Sequence, residues 1–271
     1  MNMSFYTGAV GAYMQNQRMN VQSNNIANVN NYGYKAERAT FHHLMYGNVV
    51  GIDEERLPKG SGTKMVKASI DYTCNGYADT GRTFDFAIQG DGFFALYNPV
   101  NEDISFTRDG AFIMAQFQVP PAEDAEPEID PETGEEIPPE PTVEWRLSDN
   151  EGRCVLDSMG NFIIIDPDDR KADLDVGVFD YRIYDGMLHA DSGRFSPIDK
   201  NGDLYLGTGK VIRGYLELSN VDLAQEMVKV IESQRAYSYA LRMVQTSDEI
   251  EQTINGLRLG SGRVHMSDKS V

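Results

Sequence analysis

Ser23-Asn24-Asn25-Ile26-Ala27-Asn28-Val29-Asn30-Asn31-Tyr32-Gly33-Tyr34-Lys35 is the stretch around which the chain organises itself. Asparagine is a poor residue for a helix interior because its side chain competes for backbone hydrogen bonds, and it tolerates the left-handed conformations that glycine adopts freely. A run of asparagines closed by Gly33 therefore predicts that a helix ends here and the chain turns into a different kind of structure. The bland reading of Gly33 is that it serves the left-handed turn with no direct role in contacts between subunits.

Upstream of this turn, Phe5, Ala9, Ala12, Met19 and Ile26 fall on a 4-3-4-3 ladder, with polar Asn16 and Ser23 on the remaining rungs. That spacing predicts a helix with one narrow sticky stripe, started by Ser4 as a capping residue. Downstream the pattern changes. From about Lys64 to Arg213, short segments such as Phe84–Ile88, Gly92–Tyr97, Phe112–Phe117, Asn161–Ile165 and Asp180–Tyr184 alternate with Gly, Asp and Asn, which predicts strands and tight turns. Three passages look alike: Phe106-Thr107-Arg108-Asp109-Gly110-Ala111-Phe112, Leu156-Asp157-Ser158-Met159-Gly160-Asn161-Phe162 and Ile198-Asp199-Lys200-Asn201-Gly202-Asp203-Leu204. Each sets an Asp and a Gly between apolar ends, so they are expected to be successive hairpins of one sheet system.

Within the β region, residues 119–144 hold seven of the eleven prolines, ten acidic side chains and no Lys or Arg. Such a mixture buries no core and is read as an exposed insertion. Helical periodicity returns at Val221 and lasts to about Leu257. Leu223, Met227, Val230, Tyr237, Leu241 and Val244 stand on heptad rungs with Gln234 as a polar break, and past Met243 the stripe shifts to Ile250, Ile254 and Leu257. At 1.5 Å per residue this helix would run ~55 Å, too long to be covered by a small β domain alone. Its seam needs the N-terminal helix or another subunit. The expected architecture is mainly β, with an irregular β domain over 46–214 flanked by terminal helices in 1–45 and 215–260. Those helices pair as a coiled-coil-like stalk, and a small polar tail, 261–271, is mobile.

A formal net charge of -18 argues against a nucleic acid or an anionic membrane surface as partner, since both select Lys/Arg-rich faces. No window reaches the ~18 apolar residues of a membrane span, and the first residues lack the basic and apolar segments of a cleaved signal peptide. Cys74 and Cys154 are read as plain thiols, 80 positions apart in the chain. Adjacent His42 and His43 cannot share a metal on a helix, and His189 and His265 stand alone. Asp199-Lys200-Asn201-Gly202-Asp203 has Leu204 where a calcium loop needs Gly and Lys210 where it needs Glu. Gly60–Lys64 lacks phosphate-loop spacing, and Gln89–Phe93 lacks the third glycine of a dinucleotide fingerprint. No cofactor, metal or catalytic constellation is expected.

The asparagine-rich stretch resembles the signature of the bacterial flagellar rod and hook proteins, departing from it at Asn31, where most members carry Thr. Phe86–Phe94 with Phe106–Phe112 is similar to the family's β-domain core. Leu218–Asp222, Gln234-Arg235-Ala236-Tyr237 and Thr246-Ser247-Asp248 are similar to its C-terminal helix. The resemblance spans about residues 4 to 258, with 119–144 as a departure, and is strongest to the distal rod branch, the proximal rod branch being close. It implies a structural subunit of the flagellar basal body that self-assembles through its terminal helices into a torque-transmitting tube. It also implies helices that order only on assembly, export through the flagellum's own apparatus without a cleaved signal, and partners that are copies of itself and other rod and hook subunits. The expected assembly residues are Phe5, Ala9, Ala12, Met19, Ile26, Asn28, Gly33, Tyr34, Leu223, Met227, Val230, Tyr237, Leu241, Val244, Ile250 and Ile254. The alternative is a cell-wall-associated carbohydrate-handling enzyme or binding module with its site among the acidic residues of the β region.

Overall fold

The computed structural model describes residues 3–43, 47–50, 56–59, 63–119, 128–129, 136–137, 142–169, 174–190 and 193–264. Helix α1 (Met3–Ala27) is followed by β1 (Glu37–His43), β2 (Gly47–Val50), β3 (Arg56–Lys59), β4 (Thr63–Ile70), β5 (Tyr77–Asp79), β6 (Phe86–Gln89) and β7 (Phe93–Tyr97). Next come β8 (Ile104–Thr107), β9 (Ile113–Val119), β10 (Glu128–Ile129), β11 (Glu136–Ile137), β12 (Thr142–Ser148), β13 (Cys154–Val155) and β14 (Val178–Tyr181). The chain closes with β15 (Leu188–Ala190), β16 (Arg194–Ser196), β17 (Leu204–Leu206), β18 (Lys210–Arg213), β19 (Tyr215–Glu217) and helix α2 (Leu223–Val264). The chain is thus mainly β, with a helix at each end of the described residues.

Two compact units divide it. The helical unit takes Met1–Val29, Ala36–Tyr72 and Val221–Val271, and the β unit takes Asn30–Lys35 and Thr73–Asn220. In the helical unit α1 and α2 lie side by side, and β1 pairs with β4 in an antiparallel ladder from Glu37↔Ile70 to His43↔Thr63, broken by a bulge after Thr40. Strands β2 and β3 form a separate antiparallel pair. α1 begins at Met3, so Ser4 falls inside its first turn instead of before it. α2 opens on Asp222, whose carboxylate accepts from the Ala224 and Gln225 amides and so satisfies two of the donors a helix start leaves open. It runs on to Val264, through Gly260 and Gly262 and into the expected tail. Each Gly costs only ~1 kcal/mol once a long helix is nucleated. Residues 265–271 lie outside the described residues.

The β unit is built on a nine-stranded sheet with the order β15-β16-β8-β7-β13-β12-β9, to which β14 adds by pairing with both β7 and β17. One edge of β7 is divided between two partners, since Leu96 and Tyr97 pair with β13 while Phe93 and Phe94 pair with β14. Two small ladders, β6 with β18 and β5 with β19, complete the unit. Its core is bulky and apolar: Phe86, Ile88, Phe94, Leu96, Phe112, Leu147 and Val155 are buried together. Elsewhere in the unit Phe93 meets Phe195 and Tyr184, and Phe106 meets Tyr181, in tilted and edge-on pairs with centroids 5.2–5.7 Å apart.

The three look-alike passages are not three hairpins. Only the second turns a chain back on itself. There Asp157 accepts from the Met159 and Asn161 amides, and Leu156 bridges Phe162. The third contains a short 3-10 turn at Asp199–Asn201. In the first, β8 and β9 are not neighbours: β8 pairs with β7 and β16, whereas β9 pairs with β12. A Cβ on Gly110 would sit 1.7 Å from the Phe86 carbonyl oxygen, so this Asp-Gly serves a close crossing of two backbones and not a turn. Asn161–Ile165 likewise forms no strand, only single bridges at Phe162 and Ile164. Val119 and Thr142 are paired at the mouth of the β9–β12 ladder, so the acidic segment hangs from the end of a hairpin. Within it the β10–β11 pair is described, and the remainder of 120–141 is outside the described residues.

Candidate assembly interface

The helices of the first unit run antiparallel: Gly8 lies against Val244 at one end and Gln22 meets Ser233 further along. What makes the approach possible is small size. A Cβ on Gly8 would lie 3.0 Å from Val244 Cγ2 and 3.3 Å from the Ala240 carbonyl, and one on Gly11 3.9 Å from Ala240 Cβ. The Ser233 hydroxyl is 3.1 Å from Gln22 Oε1, and Lys229 Nζ donates to Glu226 Oε1 at 2.6 Å. The side of α2 turned toward α1 is therefore a 4-3 ladder of Glu226, Val230, Ser233, Tyr237, Ala240, Val244 and Ser247, all buried or half-buried.

That ladder is not quite the one read from the sequence. Val230, Tyr237 and Val244 lie on it, half-buried, but Leu223, Met227, Leu241, Ile250 and Ile254 are exposed. Small residues at 233, 240 and 247 let α1 close in, so the helix is turned with its bulkier neighbours outward. At 100° per residue the exposed apolar side chains form two separate flanks, one on each side of the covered ladder. Leu223, Met227, Ile231 and Leu241 make one, and Met243, Ile250, Ile254 and Leu257 the other. On α1, Ala12 is buried and Met19 and Ile26 are half-buried against the pair, whereas Phe5 and Ala9 are exposed beside exposed Tyr6 and Tyr13. The stripe of Gly, Ala and Ser at heptad spacing was the missed signal.

The asparagine-rich turn does something different. Asn28 folds its amide back onto Asn24, donating to the carbonyl oxygen at 2.8 Å, and so closes the last turn of α1. Asn25, almost fully buried, holds the start of β1 from both sides: it donates to the Glu37 carbonyl at 2.8 Å and accepts from the Glu37 amide at 2.9 Å. The six residues Asn30–Lys35 then belong to the β unit. Gly33 has φ +67 and donates to the Glu217 carbonyl, and a Cβ there would fall 2.3 Å from the Asp109 nitrogen. Gly33 takes the expected left-handed turn, and it lies directly on the Arg108–Asp109 backbone. Tyr34 is buried with its ring 5.4 Å from His189. Lys35 Nζ donates to Glu217 Oε1 at 2.5 Å and to the Thr73 carbonyl at 3.1 Å, while Arg108 donates to Glu217 Oε2 at 3.2 Å. Gly33 and Tyr34 are thus turned into their own unit and present no outer surface.

Comparison with known proteins bears on this arrangement at full length. The family described as flagellar basal body rod FlgEFG protein C-terminal matches residues 212–257, which span most of α2. The flagellar basal-body rod protein FlgG of Buchnera aphidicola subsp. Schizaphis graminum is 30% identical over 94% of this chain and 99% of its own. The chain belongs to the flagellar rod and hook protein family. Within that family it is FlgG-like. FlgG of Bacillus subtilis is 27% identical over 94% of the chain and 98% of its own length, and the rod protein FlgF of Mesorhizobium japonicum 26% identical over 95% and 98%. The family is structural and not enzymatic, and the carbohydrate-handling alternative finds no support among these relatives.

A cleft in the β unit is lined by Asp109, Asp149, Glu151 and Arg194. Burial pushes both Asp109 and Asp149 above the usual carboxylate range, partly offset by backbone amides that donate to them. Arg194 donates to Glu151 Oε2 at 2.6 Å and holds that wall together. Among the described residues no three His, Cys, Asp or Glu side chains come together to hold a metal, and no helix is long and apolar enough to cross a membrane.

Proposed function

We propose that this chain is a structural subunit of the bacterial flagellar basal-body rod, assembling with copies of itself and with other rod and hook subunits through its terminal helices. The observation that carries this reading is the arrangement of α2: α1 covers a ladder on which small and polar residues alternate with Val230, Tyr237 and Val244, and leaves two bulky apolar flanks in water. At ~25 cal/mol per Å², uncovered Leu, Ile and Met side chains are the largest free-energy reserve on the helical unit, and only a neighbour can draw on it. Two flanks on opposite sides of the covered ladder suit two different neighbours, as a closed tube of helices requires. In that assembly the helices pair as a coiled-coil-like stalk, and the tube transmits torque. Delivery by the flagellum's own export apparatus belongs to the same reading.

The test is to replace Met227, Leu241, Ile250 and Ile254 together by Ser and follow sedimentation against concentration. The variant should keep the helix content and thermal midpoint of the monomer and stay monomeric where the unaltered chain forms long particles. Assembly at an unchanged critical concentration would sink the proposal.

A further inference from the structure

We propose that the β unit carries a built-in binding site for the chain's own segment Asn30–Lys35, a glycine turn locked by a buried lysine, so that this strap is part of the β fold and not of the helix it follows. Three features of the site converge on the strap from elements far away in sequence. Glu217, at the end of β19, receives the strap twice: its backbone carbonyl accepts from the Gly33 amide at 2.8 Å, and its carboxylate takes Lys35 Nζ at 2.5 Å. Arg108 completes the carboxylate from the other side at 3.2 Å and is itself fixed by the Gly90 carbonyl at 2.8 Å and by the Phe93 ring, 5.4 Å away. The backbone of Arg108 and Asp109 forms the floor, so close that position 33 accepts nothing larger than glycine.

The side chains of Lys35 and Glu217 are 1% and 0% exposed, which removes solvent screening and makes the shared carboxylate decisive. The chemistry predicts an order of effects that shape alone does not. Glu217→Gln is isosteric but strips the carboxylate from two buried cations at once. Lys35→Met removes one cation and leaves the Arg108–Glu217 pair intact. If close fit held the strap, the isosteric glutamine would be the milder change. If the shared charge holds it, glutamine is the more damaging.

The experiment uses the full chain and reads hydrogen exchange at residues 30–35, together with the thermal midpoint of the β unit. Glu217→Gln is expected to lower the midpoint by roughly 10 °C and to release the protection of 30–35. Lys35→Met should reduce protection there at least tenfold with a smaller midpoint shift, and exchange over 5–25 should be unchanged in both. A Glu217→Gln effect no larger than that of Lys35→Met overturns the proposal. Should Glu217→Gln yield no folded protein, Lys35→Met decides alone: loss of protection confined to 30–35 supports the strap, and protection equal to the unaltered chain overturns it.

Discussion

The β unit hides Phe86, Phe94, Phe112 and Leu147 from water; the paired helices hide Gly8, Ala12, Gln22, Ser233, Ala240 and Ser247. Fully burying a Phe or Leu contributes ~1.5–3 kcal/mol, whereas a Gly, Ala or Ser contributes little beyond allowing close approach. The β unit therefore has a core of bulky apolar side chains, whereas the helical pair closes on small and polar residues beside a few half-buried Val and Tyr and leaves most of the bulky apolar side chains of α2 exposed. A protein that must be a stable building block and also join others can divide the two tasks this way. Its folding core and its joining surface then need not compete for the same residues.

Changes inside the β unit should do the most harm. Gly110→Ala places a methyl group 1.7 Å from the Phe86 carbonyl oxygen, which no rotamer relieves, and should cost more than ~4 kcal/mol. Loss of near-ultraviolet dichroism at room temperature would register it. Phe94→Ala, which opens a cavity under the ring pair with Phe112, should lower stability in urea by about 3–5 kcal/mol. An equal cost from any exposed α2 flank residue would erase the contrast between the units.

In the helical unit the expected costs are smaller and of a different kind. Asn25→Ala strips two hydrogen bonds from the start of β1 at a buried position and should cost about 1–3 kcal/mol, read as faster exchange of the Glu37 amide. Gly8→Leu should wedge α1 away from Val244 and lower helix content in the monomer without moving the β-unit midpoint. A midpoint that moved as well would show that the two units do not divide the tasks as described.

The smallest effect expected is electrostatic. Burial raises the Asp109 carboxyl above its ordinary value, with Asp85 and Asp149 adding to the rise and the Ala111 amide opposing it. A carboxyl whose folded pKa is raised contributes most below its unfolded pKa, and that contribution is lost as pH climbs through the folded value. Asp109→Asn keeps an acceptor for the Ala111 amide and should stabilise the β unit by under ~1 kcal/mol at pH 7, with the gain gone at pH 3. Thermal midpoints at the two pH values measure it.

Periodicity and turn chemistry were legible because they are local. The helix over Met3–Ala27, its end among asparagines and the return of helical spacing near Leu223 all follow from what neighbouring residues impose on one another. The Asp-Gly passage at 109–110 misled for the same reason. Locally it has the composition of a hairpin turn, and its use as a crossing point beneath Phe86 depends on a strand twenty-odd residues away. The rotation of α2 misled in a subtler way, because a hydrophobic stripe announces where apolar residues are but not which of two adjacent stripes a partner helix will choose. Size made that choice, through Ser233 and Ala240, and size carries no signal in a count of apolar residues.

The sequence by itself determined the helix–β–helix order and the asparagine-rich turn, since each rests on residues within a few tens of positions, and its motifs resemble those of the rod and hook family. Only the tertiary structure decided that Gly33 and Lys35 are held by Arg108 and Glu217, and that the bulky residues of α2 face away from α1. Lys35 and Glu217 lie 182 positions apart. A contact across that distance is specified by how the whole chain packs, and no local pattern could have announced it.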